Sequence, residues 1–107
     1  MKIELLYFRE CPHYEKALQC VYEAMLELQI SAEVKGIEVE TEADAISQKF
    51  LGSPSIRVNG RDIELPDEAS HHYSLRCRRY HSNSGIIGYP PKEMLLTALS
   101  RELELEG

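Results

Sequence analysis

A cysteine followed directly by a proline divides the start of this chain into two periodicities. Before Cys11-Pro12, Lys2 to Phe8 is a run rich in Ile, Leu, Tyr and Phe, which predicts a largely buried strand. After it, Tyr14, Ala17, Leu18, Val21, Met25 and Leu28 recur at helical spacing. Proline has no N–H to lose at the first helical position, so the helix is expected to open at Cys11-Pro12. His13, Lys16, Cys20, Glu23 and Glu27 then share its polar side. Ala32 to Glu40 reads as a second strand, which completes a βαβ unit. Such a unit commits the chain to a layered α/β architecture.

The rest of the chain extends this plan. The apolar pattern of the second strand changes phase at Gly36, from Ala32 and Val34 to Ile37 and Val39, which predicts a bulge. Thr41-Glu42-Ala43-Asp44 is a capping signal for a short helix ending near Phe50, with Gly52 as its C-terminal cap. Ser55 to Val58 and Arg61 to Leu65 flank Asn59-Gly60, a dipeptide suited to a type I′ hairpin turn. Pro66 to His72 reads as a polar loop. Tyr73 to Tyr80 alternates, so Tyr73, Leu75 and Cys77 are expected to face inward and Ser74, Arg76 and Arg78 outward. Ser82 to Gly85 is turn-like. Pro90-Pro91 opens a last helix carrying Met94, Leu95, Ala98, Leu99 and Leu103, followed by a frayed acidic tail. The expected result is one domain over residues 1–107, a mixed sheet flanked by helices.

Composition narrows the partners. The 107 residues are 43% hydrophobic and 28% charged, an ordinary globular mix. Net charge is −6, which argues against nucleic acid or an anionic membrane as a partner for the whole surface. Arg76, Arg78, Arg79 and Lys92 lie in a stretch from Ala69 to Lys92 that holds no acid. Met1 to Phe8 is too short and too interrupted for a secretion signal, and no run is long enough to span a membrane, so a cytoplasmic location is expected. There, three cysteines point to free thiols, a redox site or a metal site rather than a disulfide framework.

The element order resembles the thioredoxin fold, with Cys11-Pro12-His13-Tyr14 after the first strand and Gly52-Ser53-Pro54-Ser55 before the hairpin. More of the chain is similar to a group of small bacterial and archaeal thioredoxin-like proteins of unknown function. The likeness rests on Cys11-Pro12, Gly52-Ser53-Pro54, Asn59-Gly60, Cys77-Arg78-Arg79-Tyr80 and Gly88-Tyr89-Pro90-Pro91. Some of that group carry selenoprotein labels and others alkylmercury lyase labels. Ser53 to Gly60 also looks like the corresponding part of glutaredoxins. The resemblance implies a thioredoxin-like fold with a four-stranded mixed sheet. It also implies a cis Ser53–Pro54 bond facing Cys11, and a substrate-facing loop shaped by Ser53 and Pro54. Cys77 would be the other cysteine of the pair, and a thiol or disulfide the substrate, with glutathione as one candidate. The chain departs from thioredoxin where a second motif cysteine would stand, at Tyr14.

The residues themselves suggest the same chemistry. A reactive cysteine works as its thiolate, and a helix N-terminus stabilises negative charge, which favours Cys11 as nucleophile. The bland alternative makes Cys11 a packing residue at the end of a strand. Cys20 lies nine positions on, roughly 13 Å along a helix at 1.5 Å per residue, beyond disulfide reach of Cys11. Cys77 is either the resolving thiol or a buried strand cysteine. Glutathione is the other candidate to resolve. Arg76, Arg78 and Arg79 either form an anion site for glutathione or an acidic partner, gripped bidentately, or merely solvate a strand face. Tyr14 reads as core and His13 as surface. Cys11, Cys77, His13, His72 and His81 offer nitrogen and sulfur donors, so a soft-metal or organomercurial-binding protein is one further reading, though no metal motif is present. A non-catalytic binding or scaffold domain is another. No cofactor is implied.

Overall fold

The computed structural model describes residues 1–64, 73–83 and 85–106. The expected loop from Pro66 to His72, with His71, His72 and Leu65, lies outside the described residues. Among the described residues nine elements follow in order: β1 (Lys2–Tyr7), α1 (Tyr14–Glu27), β2 (Glu33–Glu38), α2 (Glu42–Ser47), β3 (Ser55–Val58), β4 (Arg61–Asp62), β5 (Tyr80–Ser82), β6 (Gly85–Ile87) and α3 (Lys92–Glu106). The first four strands form one mixed sheet in the order β2-β1-β3-β4. β1 runs parallel to β2 and antiparallel to β3, and β4 closes the hairpin. β5 and β6 form a separate two-stranded ribbon, which the sequence reading reduces to a turn.

The alternation of β1 decides where the helices sit. Ile3 and Leu5 face one layer, built with Ala17, Val21, Ala24 and Met25 of α1 and Leu95, Ala98 and Leu99 of α3. Leu6 faces the other, with Val39, Ala45 of α2 and Phe50. Two helices therefore cover one face and the short helix the other. Each fully buried Leu, Ile or Val contributes roughly 1.5–3 kcal/mol.

Several local expectations need correction. The register of β1 on β2 runs one-to-one from Lys2↔Glu33 to Tyr7↔Glu38, so Gly36 is not a bulge. The phase change is real but has another cause: a Cβ on Gly36 would lie 3.1 Å from the Tyr14 hydroxyl. Tyr14 fills the place on the α1 face that a side chain of β2 would take, and the next apolar residues of β2 serve the opposite face. The C-terminal end of α2 turns at Lys49, with φ 55°, and not at Gly52. Phe50 N–H donates to the Ala45 carbonyl at 2.8 Å, and the Arg57 guanidinium donates to the Gln48 and Lys49 carbonyls. Thr41 caps the other end as expected, its Oγ1 accepting from Asp44 N–H at 3.0 Å. Asn59 and Gly60 both have positive φ, as the type I′ turn requires. The last helix continues to Glu106 instead of fraying. Its Glu102 is buried and held by Arg61, while Leu103 is exposed.

Candidate thiol site

Helix α1 begins at Tyr14, not at Pro12. Cys11 stands two residues before the N-cap, His13, in a turn where its N–H donates to the Phe8 carbonyl at 3.0 Å. His13 makes no side-chain cap hydrogen bond. It is also not free on the surface: its ring packs under Gly88 and beside Tyr89, with centroids 5.9 Å apart. The first turn of α1 therefore has no side-chain cap from its N-cap residue, and Cys11 lies on the approach to it. Cys11 is half-buried.

The Ser53–Pro54 bond is cis. Ser53 Oγ accepts from Phe8 N–H at 3.3 Å, which ties the Pro54 loop to the end of β1. On its other side, Ser53 forms an isolated parallel bridge with Cys77. Ser53 N–H donates to the Arg76 carbonyl at 2.8 Å and Arg78 N–H donates to the Ser53 carbonyl at 2.9 Å. Bridge partners present their side chains on the same face of a sheet, with Cβ atoms about 4.5–5.5 Å apart. The side chain of Cys77 thus shares the face of the Ser53 hydroxyl, which is bonded to Phe8. Phe8 in turn accepts from Cys11. A short chain of contacts, Cys11–Phe8–Ser53–Cys77, with the Ser53 hydroxyl as its side-chain link, connects two cysteines that are far apart in sequence.

The inward-outward pattern expected for Tyr73 to Tyr80 is inverted at its centre. Cys77 is exposed and Arg78 is buried. The cause is charge pairing. Arg78 Nη1 and Nη2 donate to Asp62 Oδ2 and Oδ1, both at 2.7 Å. Arg78 also donates to Ser55 Oγ at 3.1 Å and to Glu64 at 3.4 Å, and its guanidinium lies 4.8 Å over the Tyr80 ring. Burial opposes the Arg78 charge, and the Asp62 hydrogen bond with the acidic neighbours outweighs it, holding the group more firmly protonated. This guanidinium is committed within the fold, so the expected outward-facing anion site is not found at Arg78. Arg76 is exposed, with its Nε donating to the Leu51 carbonyl at 3.4 Å.

Tyr80 completes the neighbourhood. Its hydroxyl donates to the Pro54 carbonyl. Burial pushes the phenol well above its usual range, opposed by Arg78 and reinforced by Asp62, Glu64 and Cys11. Cys11, Ser53, Pro54, Cys77 and Tyr80 are therefore brought to one end of the sheet. The remaining candidates are not. Cys20 is buried, not on a polar side, because α3 packs along that flank of α1. Burial pushes its thiol up, with Glu23 adding to the effect. Tyr14 packs against Tyr7, with ring centroids 4.2 Å apart and planes tilted by 45°, and makes no hydrogen bond to a sulfur among the described residues.

Beside this cluster, at the carboxyl ends of β1 and β2, is a cleft of about 360 Å³ lined by Phe8 to Glu10, Glu38 to Glu40 and Leu75. Carboxyl ends of parallel strands are the usual ligand positions in α/β sheets. Sequence reasoning missed the lining because it joins residues from three separate segments. Among the described residues, no group of three or more His, Cys, Asp or Glu side chains is placed to hold a metal ion. Among the same residues, no helix is long and apolar enough to cross a membrane. Comparisons with protein-family models, curated proteins and solved structures give no match to this chain.

Proposed function

We propose that this protein is a thioredoxin-like thiol redox protein in which Cys11 is the nucleophile and Cys77 resolves. One observation carries the reading: Cys77, bridged to Ser53 and exposed, shares the face on which Ser53 is bonded to the Cys11 turn. The order β2-β1-β3-β4 and the position of Cys11 before α1 also support the thioredoxin-like assignment. An uncapped helix N-terminus favours negative charge in front of it, and this supports Cys11 as the attacking group.

In the oxidative half, the Cys11 thiolate attacks one sulfur of a disulfide substrate, such as oxidised glutathione. The substrate S–S bond breaks, and the departing thiolate takes a proton. The Cys77 thiolate then attacks Cys11 in the mixed disulfide and expels the second thiol. Cys11 and Cys77 end as a disulfide, and the substrate as two thiols. Pro54 and Ser53 shape the substrate-facing loop beside the two cysteines, and the cleft at Glu10 and Leu75 gives the substrate room.

Mass spectrometry of the protein after exposure to oxidised glutathione tests the reading. A peptide pair joined through Cys11 and Cys77 is the expected product. Cys11 held only as a glutathione adduct, with Cys77 free, would leave a one-cysteine cycle in which glutathione resolves. Equal, slow alkylation of Cys11 and Cys20 in native protein would instead favour a non-catalytic scaffold.

A further inference from the structure

We infer that Arg78 is a positioning residue for Cys77, and that its buried pairing with Asp62 sets how readily the two thiols meet; the inference rests on the thiol-pair reading above. Among the described residues, the segment around Cys77 pairs with the sheet at a single residue, Ser53. One bridge is little to hold an extended segment, since regular strands share several. The described structure compensates on both sides of Cys77. Upstream, Leu75 N–H donates to a Glu42 carboxylate at 3.1 Å and the Arg76 carbonyl accepts from Ser53. Downstream, Arg78 is anchored by its backbone to Ser53 and by its side chain to Asp62 at 2.7 Å, at two points.

The downstream anchor is the stronger. The arginine is 7% exposed and Asp62 12% exposed, so the pair is shielded from water and ionic screening. A bidentate arginine–carboxylate pair fixes orientation as well as distance. Gly52 admits it: a Cβ there would lie 2.9 Å from the Arg78 Cβ, and its φ of +131° is one that other residues rarely adopt. Cys77 carries its exposed side chain between these fixed points. Its thiol is thus presented on a braced backbone. Bracing raises the effective concentration of one thiol at another without adding a contact between them.

The test is the equilibrium between the reduced protein and its Cys11–Cys77 disulfide in glutathione buffers. It yields the effective concentration of the two thiols. Arg78→Met combined with Asp62→Leu removes both charges together, a replacement that buried pairs often tolerate. In that double variant the effective concentration is expected to fall by about tenfold or more. Arg78→Lys keeps the charge but not the two-point geometry and is expected to fall between the double variant and the unaltered protein. Slow alkylation of Cys20 in each variant certifies that the α1–α3 core is intact. Asp62→Asn carries the test if the double variant does not fold, with a smaller fall in the same direction. A residue that merely stabilised the fold would lower the melting temperature and leave the effective concentration unchanged. That result, in a folded variant, overturns the inference. Absence of any Cys11–Cys77 disulfide in the unaltered protein overturns the thiol-pair reading itself.

Discussion

Helix α1 and the segment from Tyr73 to Tyr80 each carry a cysteine, and in each the cysteine sits opposite to where periodicity puts it. In α1 the error is one of width. The apolar stripe from Tyr14 to Leu28 does face the core, but α3 packs beside it and widens the buried arc to include Cys20. In the segment the error is one of kind. The alternation of Tyr73, Leu75 and Cys77 against Ser74, Arg76 and Arg78 presumes a regular strand. Among the described residues, the stretch before Tyr80 pairs only at Cys77, and an ion pair draws Arg78 inward. A helix enforces its own geometry through internal hydrogen bonds, so its faces survive a misjudged neighbour. An extended segment takes its geometry from its partners.

The contrast can be broken most sharply at Arg78. Arg78→Ala leaves Asp62 buried without its partner, and a loss of about 3–5 kcal/mol is expected from denaturant unfolding. A cost under about 1 kcal/mol, the range of a surface pair, would show that the segment is not held by charge. Next is Gly52→Ala, which places a Cβ 2.9 Å from that of Arg78 at an unfavourable φ. A cost of about 1–3 kcal/mol is expected, measured the same way.

Alkaline pH separates the two regions by titration. The Tyr80 phenol and the Cys20 thiol are both raised in the folded state, by burial first. Each prefers its neutral form more strongly when folded. Each stabilisation is therefore complete below the unfolded pKa and is lost as pH rises toward the folded one. Unfolding free energy should stay level near neutrality and decline above about pH 9, by up to about 1.4 kcal/mol per pH unit for each group. Tyr80→Phe should make the decline above about pH 10 shallower. An unchanged slope in that variant would mean that Tyr80 is not the buried phenol responsible.

The smallest effects compare the cysteines directly. Cys20→Ala opens a small cavity between α1 and α3 and should cost about 1 kcal/mol, whereas Cys77→Ala should stay within about 0.5 kcal/mol. Equal costs would erase the distinction between the two regions.

Much of the fold is legible in the residues. The change of period at Cys11-Pro12, the Thr41 cap, the Asn59-Gly60 turn and the Pro90-Pro91 helix start all act within a few residues of themselves, through backbone dihedrals and local hydrogen bonds. The candidate site was legible in part. Cys11, Ser53, Pro54 and Cys77 are recognisable as types in a pattern, but their convergence is implied only by the family resemblance and not by their spacing. Tyr80 carried no local signal of its role, since its bond to Pro54 spans 26 positions. Arg78 looked like any exposed arginine, because its partner Asp62 lies 16 positions away in another strand.

The sequence by itself determined the alternation of strands and helices, the hairpin and the place of Cys11 between the first strand and the first helix. Only the tertiary structure decided that Tyr14 takes the room left by Gly36, that Cys20 is inside, and that Cys77 faces out while Arg78 faces in. Periodicity reports how one element divides between water and core. It contains nothing about a third helix laid along its flank or a carboxylate brought from another strand. Those depend on long-range contacts, whose energies exceed the local preferences they override.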